Sequence, residues 1–160
     1  MGIIIEDLRV KYIDQVAGLF NDLVCEIKKE TNDLYYQVNN LQIENTRILL
    51  TEILEDDNSA AFIALDDEKP VGFISGQIQS NFLPLSNIPR VGYISGAFIK
   101  HGYRKKGLMK LLENRMIEFF KSKNITYVDL NVINNNITGK NCWQELGYET
   151  FREQMRKKIK

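Results

Sequence analysis

The stretch Lys100-His101-Gly102-Tyr103-Arg104-Lys105-Lys106-Gly107-Leu108-Met109-Lys110 holds five lysine or arginine side chains and no acid. An amphipathic helix opens inside it, because Leu108, Leu111, Leu112, Met116, Phe119 and Phe120 recur at helical spacing. A helix start offers N–H groups without intrahelical acceptors and a partial positive charge, and Gly107 lets a ligand approach the backbone. The helix dipole disfavours basic residues there, and sequences break such local rules at functional sites. The pattern therefore suits a polyphosphate anion, with solvated surface charge as the bland alternative. Neither the P-loop nor the dinucleotide-turn consensus is present. Glycines 72, 76, 92, 96, 102 and 107 crowd the segment leading into this helix, and glycine inside a strand implies that something comes close.

The elements that must position these groups follow from periodicity. A strand is expected over Ile3 to Val10. A helix capped by Asp14 follows, striped by Val16, Leu19, Phe20, Leu23, Val24 and Ile27. Thr31 to Asn40 reads as a connection or short helix, and Leu49, Leu50, Ile53 and Leu54 stripe a second helix. Ala60 to Leu65 and Val71 to Gln79 form a hairpin around Asp66-Asp67-Glu68-Lys69-Pro70. Ser80 to Arg90 is an unusually apolar loop. A strand over Val91 to Ile99, the basic helix, a strand over Tyr127 to Ile133, a short helix over Thr138 to Leu146 and one or two closing strands from Tyr148 complete the series. The order is β-α-α-β-β-β-α-β-α-β-β, a mixed α/β single domain over residues 1–160.

Composition narrows the class. With 44% hydrophobic and 26% charged residues, the 160-residue chain can bury a self-sufficient core. Its longest apolar run, Ala60 to Leu65, is far too short to span a bilayer. The N-terminus reads as neither a signal nor a transit peptide. Cys25 and Cys142 suit a reducing cytoplasm, and one His with two distant Cys makes a zinc site improbable, so no metal is expected. The net charge of zero is a cancellation: residues 1–99 carry −8 and residues 100–160 carry +8. Such asymmetry fits two different ligands meeting on one domain, with a solvated dipolar surface as the bland alternative.

Two motifs carry a resemblance. Arg104-Lys105-Lys106-Gly107-Leu108-Met109 matches an Arg/Gln, two residues, Gly, one residue, Gly/Ala signature except at Met109. Leu130 to Gly139, followed by Trp143-Gln144-Glu145-Leu146-Gly147-Tyr148, matches a strand, Asn, small-residue, aromatic, Gly-aromatic run. Together they make the chain resemble the GCN5-related N-acetyltransferase (GNAT) superfamily from Ile3 to about Met155. The resemblance implies a mostly antiparallel twisted sheet flanked by helices and acetyl-coenzyme A as co-substrate. Ala97, Phe98 and Ile99 would then present backbone groups to the pantetheine arm. The N–H groups from Arg104 through Lys105, Lys106, Gly107 and Leu108 to Met109 would hold the pyrophosphate. Asn136 would help position the pantetheine arm, while Lys140 and Trp143 would lie along the cofactor side of the last helix. Two plainer readings stay open: Asn136 as a helix cap and Trp143 as core.

The implied reaction is direct attack of a primary amine on the thioester, with an N–H near Ile99 stabilising the oxyanion. An ammonium group near pH 10.4 must first lose a proton, so the base matters more than the acid. Trp143 stands where many relatives have an acidic Tyr, and no carboxylate lies between Glu68 and Glu113. Glu26, Glu30, Asp33, Glu44, Glu52 and His101 are candidates, and no base is assigned. The family places acceptor contacts on the −8 half, which favours a cationic amine: an aminoglycoside, polyamine or basic peptide. Glu30, Tyr35, Tyr36, Phe82 and Leu85 are the candidate acceptor residues, with ordinary core as the alternative for the apolar ones. Two rivals come from other classes. One is a non-catalytic acetyl-coenzyme A sensor. The other is a nucleic-acid-binding module using residues 100–110 and Arg156 to Lys160, which a pI of 6.6 disfavours. Neither nucleic acid nor membrane is an expected partner, and edge strands near the C-terminus favour a homodimer.

Overall fold

A computed structural model describes residues 2–38 and 43–160. The elements are β1 (Ile4–Asp7), α1 (Ile13–Thr31), α2 (Ile43–Glu55), β2 (Ser59–Asp66), β3 (Lys69–Ser80), β4 (Arg90–Ile99), α3 (Leu108–Ser122), β5 (Val128–Leu130) and α4 (Ile137–Glu145). The sheet runs β1-β2-β3-β4-β5; the first four strands are antiparallel and β5 joins β4 in parallel. Strand alternation divides the core between the two faces. Ala61, Ile63 and Leu65 pack with α1 and α2, while Phe62 and Ala64 join Leu112, Met116 and Phe120 of α3. The β2–β3 hairpin closes through Asp67 and Glu68, both at positive φ, the geometry that matches strand twist.

Two irregularities of β4 matter for the site. Ser75 pairs with Gly96 but Gly76 pairs with Ile94, so Ser95 is an extra, bulged residue. On its other side β4 pairs with β5 only from Gly92 to Ile94. Beyond that point the two chains part. Ladder alternation fixes which groups face the gap: the Lys100 N–H donates to the Val71 carbonyl (2.9 Å), so the polar groups of Ala97 and Ile99 point away from β3.

Several expected boundaries shift. The first helix begins at Ile13 after a 3-10 turn at Val10–Tyr12, so Asp14 lies inside its first turn rather than capping it and accepts from Arg47 Nε (2.8 Å). The Thr31 to Asn40 connection contains a 3-10 turn at Leu34–Tyr36, and its last two residues lie outside the described ones. The expected strand from Tyr127 to Ile133 shrinks to Val128–Leu130 as the chain leaves β4. The closing strands from Tyr148 do not form. A strand needs a ladder, and residues 149–160 instead make side-chain contacts: Phe151 with Phe82, Arg152 over Phe82, and Arg156 with Asp33 and Tyr35.

The strand glycines also receive a different explanation. A Cβ at Gly72 or Gly76 would meet the carbonyl oxygen of Phe98 or Tyr93 at 2.9 Å, and one at Gly92 or Gly96 would meet the ring of Phe120 or Phe20 at 2.8 Å. The chain itself, not a ligand, comes close at these four. Gly102 and Gly107 alone of the six face open space.

Candidate active site

Where β4 and β5 separate, a cavity of about 900 Å³ opens between α1, the 103–110 turn and α4. Ala97, Phe98 and Ile99 form one wall; Lys105, Gly107, Leu108 and Met109 form the far end; Asn136 and Trp143 line the opposite side. Among the expected cofactor residues, Lys106 and Lys140 do not line it. The Lys106 ammonium folds back to the Gly102 carbonyl (3.0 Å), and Lys140 reaches Asn134 (3.3 Å). Lys105 and Lys110 remain as exposed cations at the cavity.

Gly107 caps α3 at φ 76°, a left-handed conformation that costs a side-chain-bearing residue about 1–2 kcal/mol. The first intrahelical bond runs from Leu111 N–H to the Gly107 carbonyl (3.2 Å), so the N–H groups of Leu108 and Met109 precede the ladder and face the cavity end. These donors belong to the backbone, which is why Met109 can stand where the signature has a small residue.

The Arg104 side chain has another task. Its two Nη atoms grip the Glu26 carboxylate (2.8 and 2.5 Å) while Nε donates to the Ile99 carbonyl (2.8 Å). One guanidinium thus ties α1, the end of β4 and the basic turn together. Its positive charge is neutralised within the fold, so its guanidinium is not a free cation at the cavity. Glu26 also accepts from His101 Nε2 (2.7 Å) if that nitrogen is protonated, and the Arg104 hydrogen bond holds its carboxyl below the usual glutamate range.

The candidate bases are held similarly. The Glu30 carboxylate accepts from the Thr138 N–H (3.1 Å) and hydroxyl (2.8 Å), linking α1 to the start of α4. Asp33 accepts from Arg156 (2.8 and 3.2 Å) and from the Tyr35 N–H (2.9 Å). Glu44 pairs with Arg47 on α2, outside the cavity, and Glu52 does not line the cavity. Asn136 caps α4 by accepting from the Gly139 N–H (2.9 Å) and lines the cavity at the same time. Trp143 likewise packs edge-on against Tyr148 at 5.3 Å while lining it.

On the acceptor side, Glu30 and Tyr36 line the cavity, whereas Tyr35, Phe82 and Leu85 do not; Leu85 is 91% exposed at its loop tip. Burial, with smaller contributions from Tyr93 and Asp33, pushes the Tyr36 hydroxyl up, so it is a proton-bearing donor at neutral pH. Residues outside the expected set join the site: Phe20, Leu23 and Ile27 from α1, Asn131 from the parted β5, and Cys142 from α4. The α1 stripe carried its signal as helix periodicity, indistinguishable from core. Asn131 lies in the Leu130 to Gly139 run, where Asn136 alone carries an expected role, and nothing in the sequence marks Cys142.

The open β4 edge and the unpaired N–H groups at the α3 start fit the amides and pyrophosphate of a coenzyme A thioester. The profile of the acetyltransferase (GNAT) family matches residues 22–148, and the chain belongs to that family. It is an acyl-coenzyme A-dependent N-acetyltransferase with acetyl-coenzyme A as its co-substrate. Solved structures share the fold. The aminoglycoside acetyltransferase AAC(6')-Iy, in complex with a bisubstrate analogue, is 19% identical over 100% of this chain and 99% of its own, with a TM-score of 0.79. AAC(6')-Ih from Acinetobacter baumannii is 13% identical over 99% of each chain (TM-score 0.79). Glucosamine-6-phosphate N-acetyltransferase from Arabidopsis thaliana is 19% identical over 100% of both chains (TM-score 0.69). No curated protein matches the sequence.

Proposed function

We propose that this protein acetylates a primary amine of a small cationic acceptor such as an aminoglycoside, a polyamine or a basic peptide, by direct attack on the thioester. The observation that carries this reading is the charge division seen in three dimensions. The basic turn sits at one end of the cavity, and Glu30 and Tyr36 of the −8 half line its walls. In this reading acetyl-coenzyme A supplies an activated acyl group with a good thiolate leaving group. The main-chain groups of Ala97 pair with the pantetheine arm, and the Ile99 N–H serves as oxyanion donor while Arg104 holds the Ile99 carbonyl. The N–H groups from Lys105 to Met109, with the Lys105 and Lys110 ammonium groups, hold the pyrophosphate. Asn136 and Trp143 bound the thioester side, and Tyr36 contributes a donor hydroxyl near the acceptor.

The same reading places the whole chain, residues 1–160, in one acetyltransferase domain. Two free cysteines favour the cytoplasm, and no helix among the described residues is long and apolar enough to cross a membrane. The uncovered edge of β5 favours a homodimer. A panel of aminoglycosides, polyamines and basic peptides, assayed for free thiol released from acetyl-coenzyme A, tests the proposal. Turnover on cationic members supports it. Binding of acetyl-coenzyme A without turnover on any amine would instead favour a sensor.

A further inference from the structure

Two aromatic residues that do not line the cavity, Tyr35 and Phe82, each carry an arginine of the chain's own C-terminal segment. The Arg156 guanidinium lies 4.3 Å from the Tyr35 ring centroid, and Arg152 lies 4.4 Å from that of Phe82. Arg156 also makes a two-point ion pair with Asp33, whose side chain is left only 14% exposed. A carboxylate beside an aromatic face is the chemistry that recognises an organic cation. Asp33 is the N-cap of the turn that carries Tyr36 into the cavity. The segment makes no strand and leaves Met155 94% exposed, so its described contacts here are these arginine seats and the Phe151–Phe82 ring contact.

We propose that Asp33 with Tyr35, and Phe82, are two cation seats for a small polycationic acceptor, and that the segment Phe151 to Arg156 is a strap occupying them as an intramolecular competitor. This rests on the cationic-acceptor reading above and adds the groups that recognise charge away from the reacting amine. The strap sets a scale for the ligand: Arg152 and Arg156 are four positions apart, with three residues between them, so their Cα atoms lie at most about 14 Å apart. A linear polyamine with ammonium groups several carbons apart matches that spacing, whereas a monoamine can fill one seat at most. An acceptor must displace the strap, so its apparent affinity is reduced by the fraction of molecules in which the seats are closed.

The test uses the full chain with spermine and n-butylamine as probes. In the R152A/R156A double variant the KM for spermine should fall about five-fold with kcat unchanged, while n-butylamine kinetics stay as in the wild type. D33N keeps the turn, because Asn caps as well as Asp, but removes the charge; added to R156A, it should reverse most of that gain. A binding arm is independent of turnover: in labelled wild-type protein, spermine should shift the side-chain Nε–H signals of Arg152 and Arg156 toward free arginine and mobilise residues 150–156. Unchanged arginine signals at saturating spermine would overturn the proposal, as would equal KM changes for both amines. If no amine turns over, the acetylation reading fails, and the arginine signals still decide the strap.

Discussion

Removing the charge of Glu26, which lines the cavity and grips the basic turn through Arg104, should loosen the cofactor end of the site. In the fold Glu26 makes two bonds to Arg104, and Arg104 holds the Ile99 carbonyl by a third. Charge-assisted hydrogen bonds contribute about 1.5–3 kcal/mol each when well made, and breaking a fully buried pair costs about 3–5 kcal/mol. Here the side chains are 24% and 27% exposed, which lowers that ceiling. Arg104→Met should therefore cost about 2–3 kcal/mol, or a Tm drop of roughly 4–12 °C for a chain of this size. Glu26→Gln, which keeps an acceptor, should cost about 1–2 kcal/mol. Freeing one or two residues of the 100–107 turn adds about 1 kcal/mol or more of ordering cost to cofactor binding, so both variants should weaken acetyl-coenzyme A about five- to ten-fold by calorimetry. The pH dependence has a definite sign. Glu26 is depressed in the fold, so its contribution is complete above its ordinary value of 4.5 and is lost as pH falls through the lower folded value. Glu26→Gln should thus approach the wild-type Tm at strongly acidic pH, while Arg104→Met keeps the loss of its bond to the Ile99 carbonyl. An unchanged Tm with tighter cofactor binding in Glu26→Gln would overturn this tie, because a phosphate-binding Arg104 released from its partner would behave that way.

Gly107→Ala should destabilise by about 1–2 kcal/mol in urea titrations, because the site is sterically open and only the positive φ resists a side chain; no loss would contradict the cap geometry. Burial pushes Glu113 up despite the Tyr148 hydroxyl that donates to it at 3.1 Å. A raised carboxyl costs stability above its ordinary range, so Glu113→Gln should raise Tm at pH 7 and leave it near wild type at pH 4; the reverse pattern would contradict the assignment. Cys142 lines the cavity and burial pushes its thiol up, while Cys25 is exposed. In a Cys25→Ser background, iodoacetamide labelling should be slow at pH 7, faster at pH 9, and suppressed by coenzyme A; labelling indifferent to coenzyme A would place the ligand elsewhere.

Much of the architecture was legible because its signals are local. The α3 stripe from Leu108 to Phe120, the hairpin around Asp67 and Glu68, and the Arg104 to Met109 signature each depend on residues close in sequence. What the sequence concealed depends on distant partners. Arg104 and Glu26 lie 78 positions apart, so an arginine in a basic run looked like a phosphate ligand when it is a tie across three elements. The strand glycines looked like ligand contacts because their actual neighbours, Phe20, Phe120 and two backbone carbonyls, come from other elements. The tail after Tyr148 spaces its apolar residues Phe151, Met155 and Ile159 four apart among charged ones, without strand alternation, and it finds arginine contacts rather than a ladder. The Ser95 bulge that parts β4 from β5 carries no composition mark at all.

The parted β4–β5 edge and the start of α3 are proposed to hold acetyl-coenzyme A. Backbone amide NMR during a titration to about 1 mM ligand, a concentration that reveals even weak binding, tests it most directly. The largest shifts are expected at Ala97, Ile99 and Lys105 through Met109, with little change at Asp7, Phe62 and Arg115 of the separate groove beside α3. No shifts at that concentration, or shifts confined to that groove, would contradict it.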